Sequence, residues 1–157
     1  NSRNNKKRGI MKKFISISVF AIAAILSFSS CDKEDEVAIS PSAISNEVRA
    51  FLDSHFQGIE IQYVIQERER RSYDYEMRLS DGTRIEINSN GDWMEVENYD
   101  KGVTASVIPG KILEYVNQNY PNTAIVDIER DRQIDIKLKN GVELIFSLDG
   151  EFIQMDF

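Results

Sequence analysis

Along the chain, apolar residues recur first at helical spacing and then on alternate positions, and this switch happens twice. Ile44, Val48, Phe51, Leu52 and Phe56 form one helical stripe. Ile108, Ile112, Tyr115, Val116 and Tyr120 form a second, each member 64 residues after its counterpart. Ser45 is placed to cap the first helix, Pro109 suits the first turn of the second, and Gly58 and Pro121 stop them. Beyond each helix the period falls to two. Tyr73, Tyr75, Met77 and Leu79 alternate with Asp74, Glu76 and Arg78, and Ile85 and Ile87 with Arg84 and Glu86. In the second half, Ile134, Ile136 and Leu138 alternate with Asp135, Lys137 and Lys139, followed by Val142, Leu144, Phe146 and Leu148 on alternate positions. Strands of this kind have one packed face and one wet face.

Glycine turns separate the strands. Asp81-Gly82 matches Asn140-Gly141, and Asn90-Gly91 matches Asp149-Gly150, now at an offset of 59. Asp-Gly and Asn-Gly supply the two positive φ values of a two-residue hairpin turn. The change of offset puts five extra residues in the first unit, in the Glu67 to Ser72 stretch. The pattern predicts an α+β fold of two tandem repeats, each one helix followed by a four-stranded antiparallel meander, with the helices packed on one face of the sheet. Repeat 1 spans 42–100, a linker 101–106, and repeat 2 spans 107–157. A unit of roughly 50–60 residues is near the lower limit for a self-sufficient core. The two are therefore expected to dock edge to edge into one longer sheet.

Charge changes the picture at the N-terminal end. Of 157 residues 41% are hydrophobic, which excludes wholesale disorder, and the formal net charge is −7. Residues 1–30 carry six basic side chains and no acid (Arg3, Lys6, Lys7, Arg8, Lys12, Lys13), whereas the chain from Cys31 onward carries 13 basic and 26 acidic ones. So acidic a body repels phosphate backbones, and no nucleic-acid partner is expected. Met11-Lys12-Lys13 is a short basic n-region, and Phe14 to Phe28 is an apolar run shorter than the roughly 20 residues a membrane span needs. We read 1–10 as an upstream extension and 11–30 as a lipoprotein signal peptide. The run ends in Leu26-Ser27-Phe28-Ser29-Ser30-Cys31, which resembles a lipobox, and this implies lipidation of Cys31 and a membrane anchor. Residues 31–41 read as an acidic tether. Cys-x-Lys followed by acids resembles the surface-export signal of Bacteroidetes lipoproteins, while Asp32 at the second position resembles the inner-membrane retention signal of enteric bacteria. The expected address is the envelope of a Gram-negative cell, at the outer membrane, the cell surface or the periplasmic face.

The second helix ends in Tyr120-Pro121-Asn122 with Ile125, and the meanders end in Asn90-Gly91 with Trp93 and Asp149-Gly150 with Phe152. With Gly58, Ile61, Asp81-Gly82 and Asn140-Gly141, these residues resemble the PepSY-like tandem domains of bacterial lipoproteins, which are similar to the β-lactamase inhibitor protein. The resemblance covers about Ser42 to Phe157 and implies fold more than function, because its motifs are turn glycines and core residues. β-Lactamase inhibitor proteins carry disulfides and inserted binding loops. Neither is present in this sequence, so inhibition of a β-lactamase is not carried over.

Candidate chemistry is sparse. His55 has no Cys to activate, and as a base it would need an orienting carboxylate. A glycosidase needs two acids across a cleft, but Asp74, Glu76, Glu86, Asp135 and Glu143 lie on the wet side of strands. No spaced D-x-D-x-D-G calcium loop is present, and no metal or cofactor is expected. Arg68-Glu69-Arg70-Arg71 is a basic island suited to a solvated hairpin tip. If alternation holds directly after each turn, Trp93 joins Glu95 and Glu97, and Phe152 joins Gln154 and Asp156, on the polar face. The expected function is a non-catalytic binding or inhibitory module that meets a protein or peptide through that face. Its contacts would be Asp74, Glu76, Arg78, Arg84 and Glu86 from repeat 1, and Asp135, Lys137, Lys139 and Glu143 from repeat 2, with Trp93 and Phe152 as apolar anchors. The rival classes are a carboxylate-based envelope hydrolase and a passive structural lipoprotein.

Overall fold

In the computed structural model, which describes residues 36–69 and 72–156, the Ser45 side chain accepts a hydrogen bond from the Val48 amide at 3.2 Å and starts helix α1 (Asn46–His55). The signal peptide, Cys31 and Arg70-Arg71 lie outside the described residues. Pro109 stands at the N-cap of α2 (Gly110–Asn119). The expected stripes are the buried ones: Ile44, Val48, Leu52 and Phe56 from the first, Ile108, Ile112 and Val116 from the second. Burying each of these side chains contributes about 1.5–3 kcal/mol relative to leaving it in water.

Nine strands follow the chain in order: β1 (Glu36–Ile39), β2 (Ile61–Glu69), β3 (Ser72–Leu79), β4 (Arg84–Asn88), β5 (Trp93–Glu97), β6 (Ile125–Arg130), β7 (Ile134–Leu138), β8 (Glu143–Phe146) and β9 (Phe152–Asp156). All join one antiparallel sheet in sequence order. The meanders β2–β5 and β6–β9 are thus joined edge to edge through β5 and β6. Met77, Leu79, Ile85, Ile87, Ile128, Ile136 and Leu144 point to the helix side and form one core with both helices. The extra residues of repeat 1 lengthen its first hairpin, with β2 and β3 nine and eight residues long against six and five for β6 and β7.

Four expectations need correction. Residues 36–39, inside the stretch read as a tether, form an edge strand on β2. Within the 101–106 linker, Val103 is buried and its amide bonds the Ile125 carbonyl at 2.8 Å, so the linker is part of the core. The hairpin turns are three residues long, not two. Gly82, Gly91, Gly141 and Gly150 have positive φ while the Asp or Asn before each does not. The Gly82 amide bonds the Leu79 carbonyl and the Leu79 amide bonds the Thr83 carbonyl, a pattern repeated in the other three hairpins.

The fourth correction concerns the aromatics. Glu95 pairs with Glu86 but Trp93 pairs with Ile87, so Met94 is an extra residue in β5. Likewise Gln154 pairs with Ile145 but Phe152 with Phe146, leaving Ile153 extra in β9. A bulge of one residue reverses the alternation beyond it. Trp93 therefore packs half-buried against the core on the helix side, with the Arg130 guanidinium 5.4 Å from its ring centroid. Phe152 stacks on Tyr115 of α2 at 4.7 Å and lies edge-on to Phe146. Neither is on the open face.

Candidate functional site: the helix-free face of the sheet

Cross-strand pairing arranges the open face as two rows. One runs Ile65, Glu76, Glu86, Glu95, Glu129, Asp135, Ile145, Gln154 from β2 to β9. The other runs Tyr63, Arg78, Arg84, Glu97, Asp127, Lys137, Glu143, Asp156. Five acids thus stand directly side by side in the first row, over about 19 Å at the usual strand spacing. Like charges directly opposite destabilise a sheet. Arg84 offsets part of this cost, reaching Glu76 at 3.2 Å and Glu95 at 3.0 Å and also bonding Glu86. Lys137 bonds Glu143 at 2.6 Å. Asp127 differs, because its Oδ1 is shut off from solvent and has no hydrogen-bond partner. One carboxylate oxygen each from Glu95, Glu97 and Asp127 lie within 4.8 Å of one another. Beside them a hollow of about 250 Å³ is lined by Asp127, Glu129, Asp135, Lys137, Glu143 and Ile145 among others.

The electrostatics follow from this crowding. Burial pushes Asp127 up to about 7, with repulsion from Glu95, Glu97 and Glu129 adding to it and Lys137 opposing. Burial also pushes Glu86 up to about 7, against the pull of Arg84, while Glu95 and Glu76 add repulsion. Glu97, Glu129 and Asp135 are raised as well, chiefly by burial. Burial works against the Arg84 charge, but its bond to Glu76 and the neighbouring acids outweigh this and raise it. Between ordinary carboxylate values and about 7, the folded chain holds protons that the unfolded chain has released. Stability should therefore fall as pH rises through that window, by about 1–2 kcal/mol after allowance for solvent screening. Urea unfolding at pH 4.5 and pH 7.5 measures this, and equal or greater stability at pH 7.5 would contradict it.

Of the residues expected on this face, Glu76, Arg78, Arg84, Glu86, Asp135, Lys137 and Glu143 stand in the two rows, and Asp74 pairs with Asn88 just beyond them. Lys139 lies past the end of β7, where its ammonium donates to the Asp100 carbonyl at 3.0 Å. Sequence reasoning did not single out Glu95, Glu97, Asp127 and Glu129 as site residues. Each pair is spaced two apart and so shares a strand face, but only the β5–β6 register brings the pairs together. Elsewhere, His55 Nδ1 lies 3.0 Å from Ser106 Oγ, with no carboxylate hydrogen-bonded to the ring among the described residues.

The chain resembles several solved structures. One, from Bacteroides thetaiotaomicron, is described as a "putative calcium-regulated periplasmic protein"; it shares 28% identity at a TM-score of 0.71, covering 78% of this chain and 97% of that one. A "putative periplasmic protein" of Bacteroides vulgatus shares 27% identity at a TM-score of 0.73, covering 80% and 100%. A second from the same organism, described as of unknown function, shares 29% at 0.71, covering 78% and 99%. No curated protein matches the sequence. Residues 73–154 match the family described as "Putative beta-lactamase-inhibitor-like, PepSY-like". This match runs from β3 across the seam into β9, and the doubled helix-and-meander plan accords with it: the chain belongs to the PepSY-like family.

Proposed function

We propose that the protein is a non-catalytic binding module of the Gram-negative envelope, anchored through a lipid on Cys31, and that it engages a protein or peptide across the open face of its sheet. The observation that carries this reading is the pair of charged rows crossing eight strands on a face that no helix among the described residues covers. Such a face is broad enough for a footprint of about 800 Å² per partner. Periplasmic relatives support the compartment. The test is a saturable partner from envelope extract whose binding is lost in a Glu129→Lys/Asp135→Lys variant that keeps its fold. Recovery of no saturable partner would favour a passive structural lipoprotein. Glycan or cell-wall hydrolysis abolished by a single Asp or Glu change would favour a hydrolase. Cys31→Ala should release the protein into the soluble fraction or leave it unprocessed, as fractionation would show. A processed Cys31→Ala protein that stays in the membrane would defeat the anchor.

A second reading is favoured by the carboxylate group at the centre of the face. A relative is described as calcium-regulated, and the orphaned Asp127 Oδ1 beside Glu95 and Glu97 fits a hard cation that takes oxygen ligands. Glu95, Glu97 and Asp127 would hold Ca²⁺, whose charge offsets the crowding of acids there. Three carboxylates without a dedicated loop suit an affinity of about 10⁻⁴–10⁻³ M, the range of extracellular modules.

A further inference from the structure

In the doubled plan of the sheet, β9 is the counterpart of β5. Trp93-Met94-Glu95-Val96-Glu97 pairs with β4 in the same register as Phe152-Ile153-Gln154-Met155-Asp156 pairs with β8, with the extra residue at the same place. On its other side β5 goes on to pair with β6, whereas β9 is the last strand of the sheet. Among the described residues, no strand covers its outer edge. Such edges are commonly blunted by charge. β9 has a single charged residue, Asp156, and Phe152 and Ile153 stand 40% and 53% exposed at this edge.

The β5–β6 ladder shows what an edge of this construction accepts. Val96 meets Ile128 on the helix side, flanked on the open face by Glu95 with Glu129 and Glu97 with Asp127. Beyond them the Asn98 amide bonds the Val126 carbonyl at 2.8 Å. Bonded pairs alternate along an antiparallel ladder, so Val96 and Ile128 are a bonded pair as well. Met155 stands where Val96 does, opposite Leu144 and packed against the core, and its amide and carbonyl therefore point to the outer edge.

We propose that β9 pairs antiparallel with β9 of a second copy of this chain, about a two-fold axis through Met155. Met155 then meets its own counterpart on the helix side, apolar against apolar as Val96 meets Ile128. On the open face Gln154 meets the second copy's Asp156, and Asp156 the second copy's Gln154. A Gln amide donates, and a carboxylate accepts from more than one donor, so both flanks are complementary where the β5–β6 flanks set acid against acid. Centring the pair on Gln154 instead would set Asp156 against Phe152 and lose both contacts. The axis runs normal to the sheet and keeps the helices of both copies on one side. Their open faces join into one surface across the new ladder. A ladder of this length makes a small contact, of the weak and transient class.

Sedimentation equilibrium of the mature protein in density-matched detergent, over a concentration series, tests this pairing. A monomer–dimer equilibrium is expected. Gln154→Lys, which sets a cation against Asp156 twice per dimer, should tighten it about tenfold, and Gln154→Glu, which sets acid against acid twice, should weaken it about tenfold. Gln154 is exposed, so circular dichroism and urea unfolding of the dilute variants should match the unaltered protein. Monomer at every concentration up to about 1 mM overturns the proposal. A dimer whose strength ignores both substitutions lies elsewhere on the molecule and overturns it too. Growth past the dimer, as pairing of β9 with the opposite edge β1 would give, rules out the two-fold pairing.

Discussion

Trp93→Ala is expected to cost about 3 kcal/mol of folding stability, near the low end for truncating a core aromatic because the ring is only half-buried. The indole packs against the core on the helix side, paired across the strands with the fully buried Ile87, and Arg130 covers its outer surface. Removing it leaves a void beside Ile87 and strips Arg130 of a cation–π contact of about 0.5–1 kcal/mol. The native emission should be blue-shifted and shielded from an aqueous quencher. Urea unfolding of the variant gives the cost directly, and a loss below about 1 kcal/mol would return the ring to the surface. Met94→Ala, at the bulge itself, leaves the ring in place and should cost less.

That outcome bears on why strand alternation misplaced this residue. Alternation predicts faces well while each residue opposes one partner, as Tyr75, Met77, Ile85, Ile87, Ile134 and Ile136 do. A bulge adds a residue without any marker in the sequence, and Trp93-Met94-Glu95 reads as an unbroken alternating strand. The register repeats the device in both halves, the bulge at Met94 recurring at Ile153 and the one beside Ile61 recurring beside Ile125. The helices and the order of strands were legible because they depend on local spacing and on glycine, which takes the left-handed turn position at least cost. The edge strand β1 was not. Glu36-Val37-Ala38-Ile39 is only four residues long and continues an acidic run, and it becomes a strand by pairing with the open edge of β2, with Ile39 packing against the core.

The carboxylate group shows the same limit at longer range. Glu95 with Glu97 and Asp127 with Glu129 are each visible as acids two apart on a strand. What joins them is the register between two repeats, set by how Val96 and Ile128 meet under the helices. Edge-to-edge docking was foreseeable from the small size of each unit. The register of that docking was not, and a slip of one residue would turn Asp127 toward the helices.

The helices and the last turn of each meander also depend on one another, and Gly91→Ala is expected to expose this with a loss of about 2–3 kcal/mol. Gly91 has φ +84, a conformation that costs an ordinary residue about 1–2 kcal/mol. An added Cβ would also lie 3.0 Å from the Glu47 carbonyl oxygen and 3.1 Å from its carbon, in the first turn of α1. Those are backbone atoms, held by the Ser45 cap, whose hydroxyl in turn donates to the Ser89 carbonyl of the same turn at 2.9 Å. The helix would have to lift from the sheet. Gly141 makes the control, because its φ is +89 but nothing lies within 4 Å of an added Cβ. Gly141→Ala should therefore cost only the backbone term, about 1 kcal/mol. Gly150 occupies the position of Gly91 in repeat 2, with an added Cβ 3.1 Å from the Lys111 Cβ of α2. Its loss should fall between the other two, since a side-chain carbon on a helix shifts more readily than a carbonyl. Chemical unfolding of the three variants under one set of conditions gives the order directly. Equal losses at Gly91 and Gly141 would mean that α1 does not press on this turn, and that the helix–turn contact does not help position the sheet beneath it.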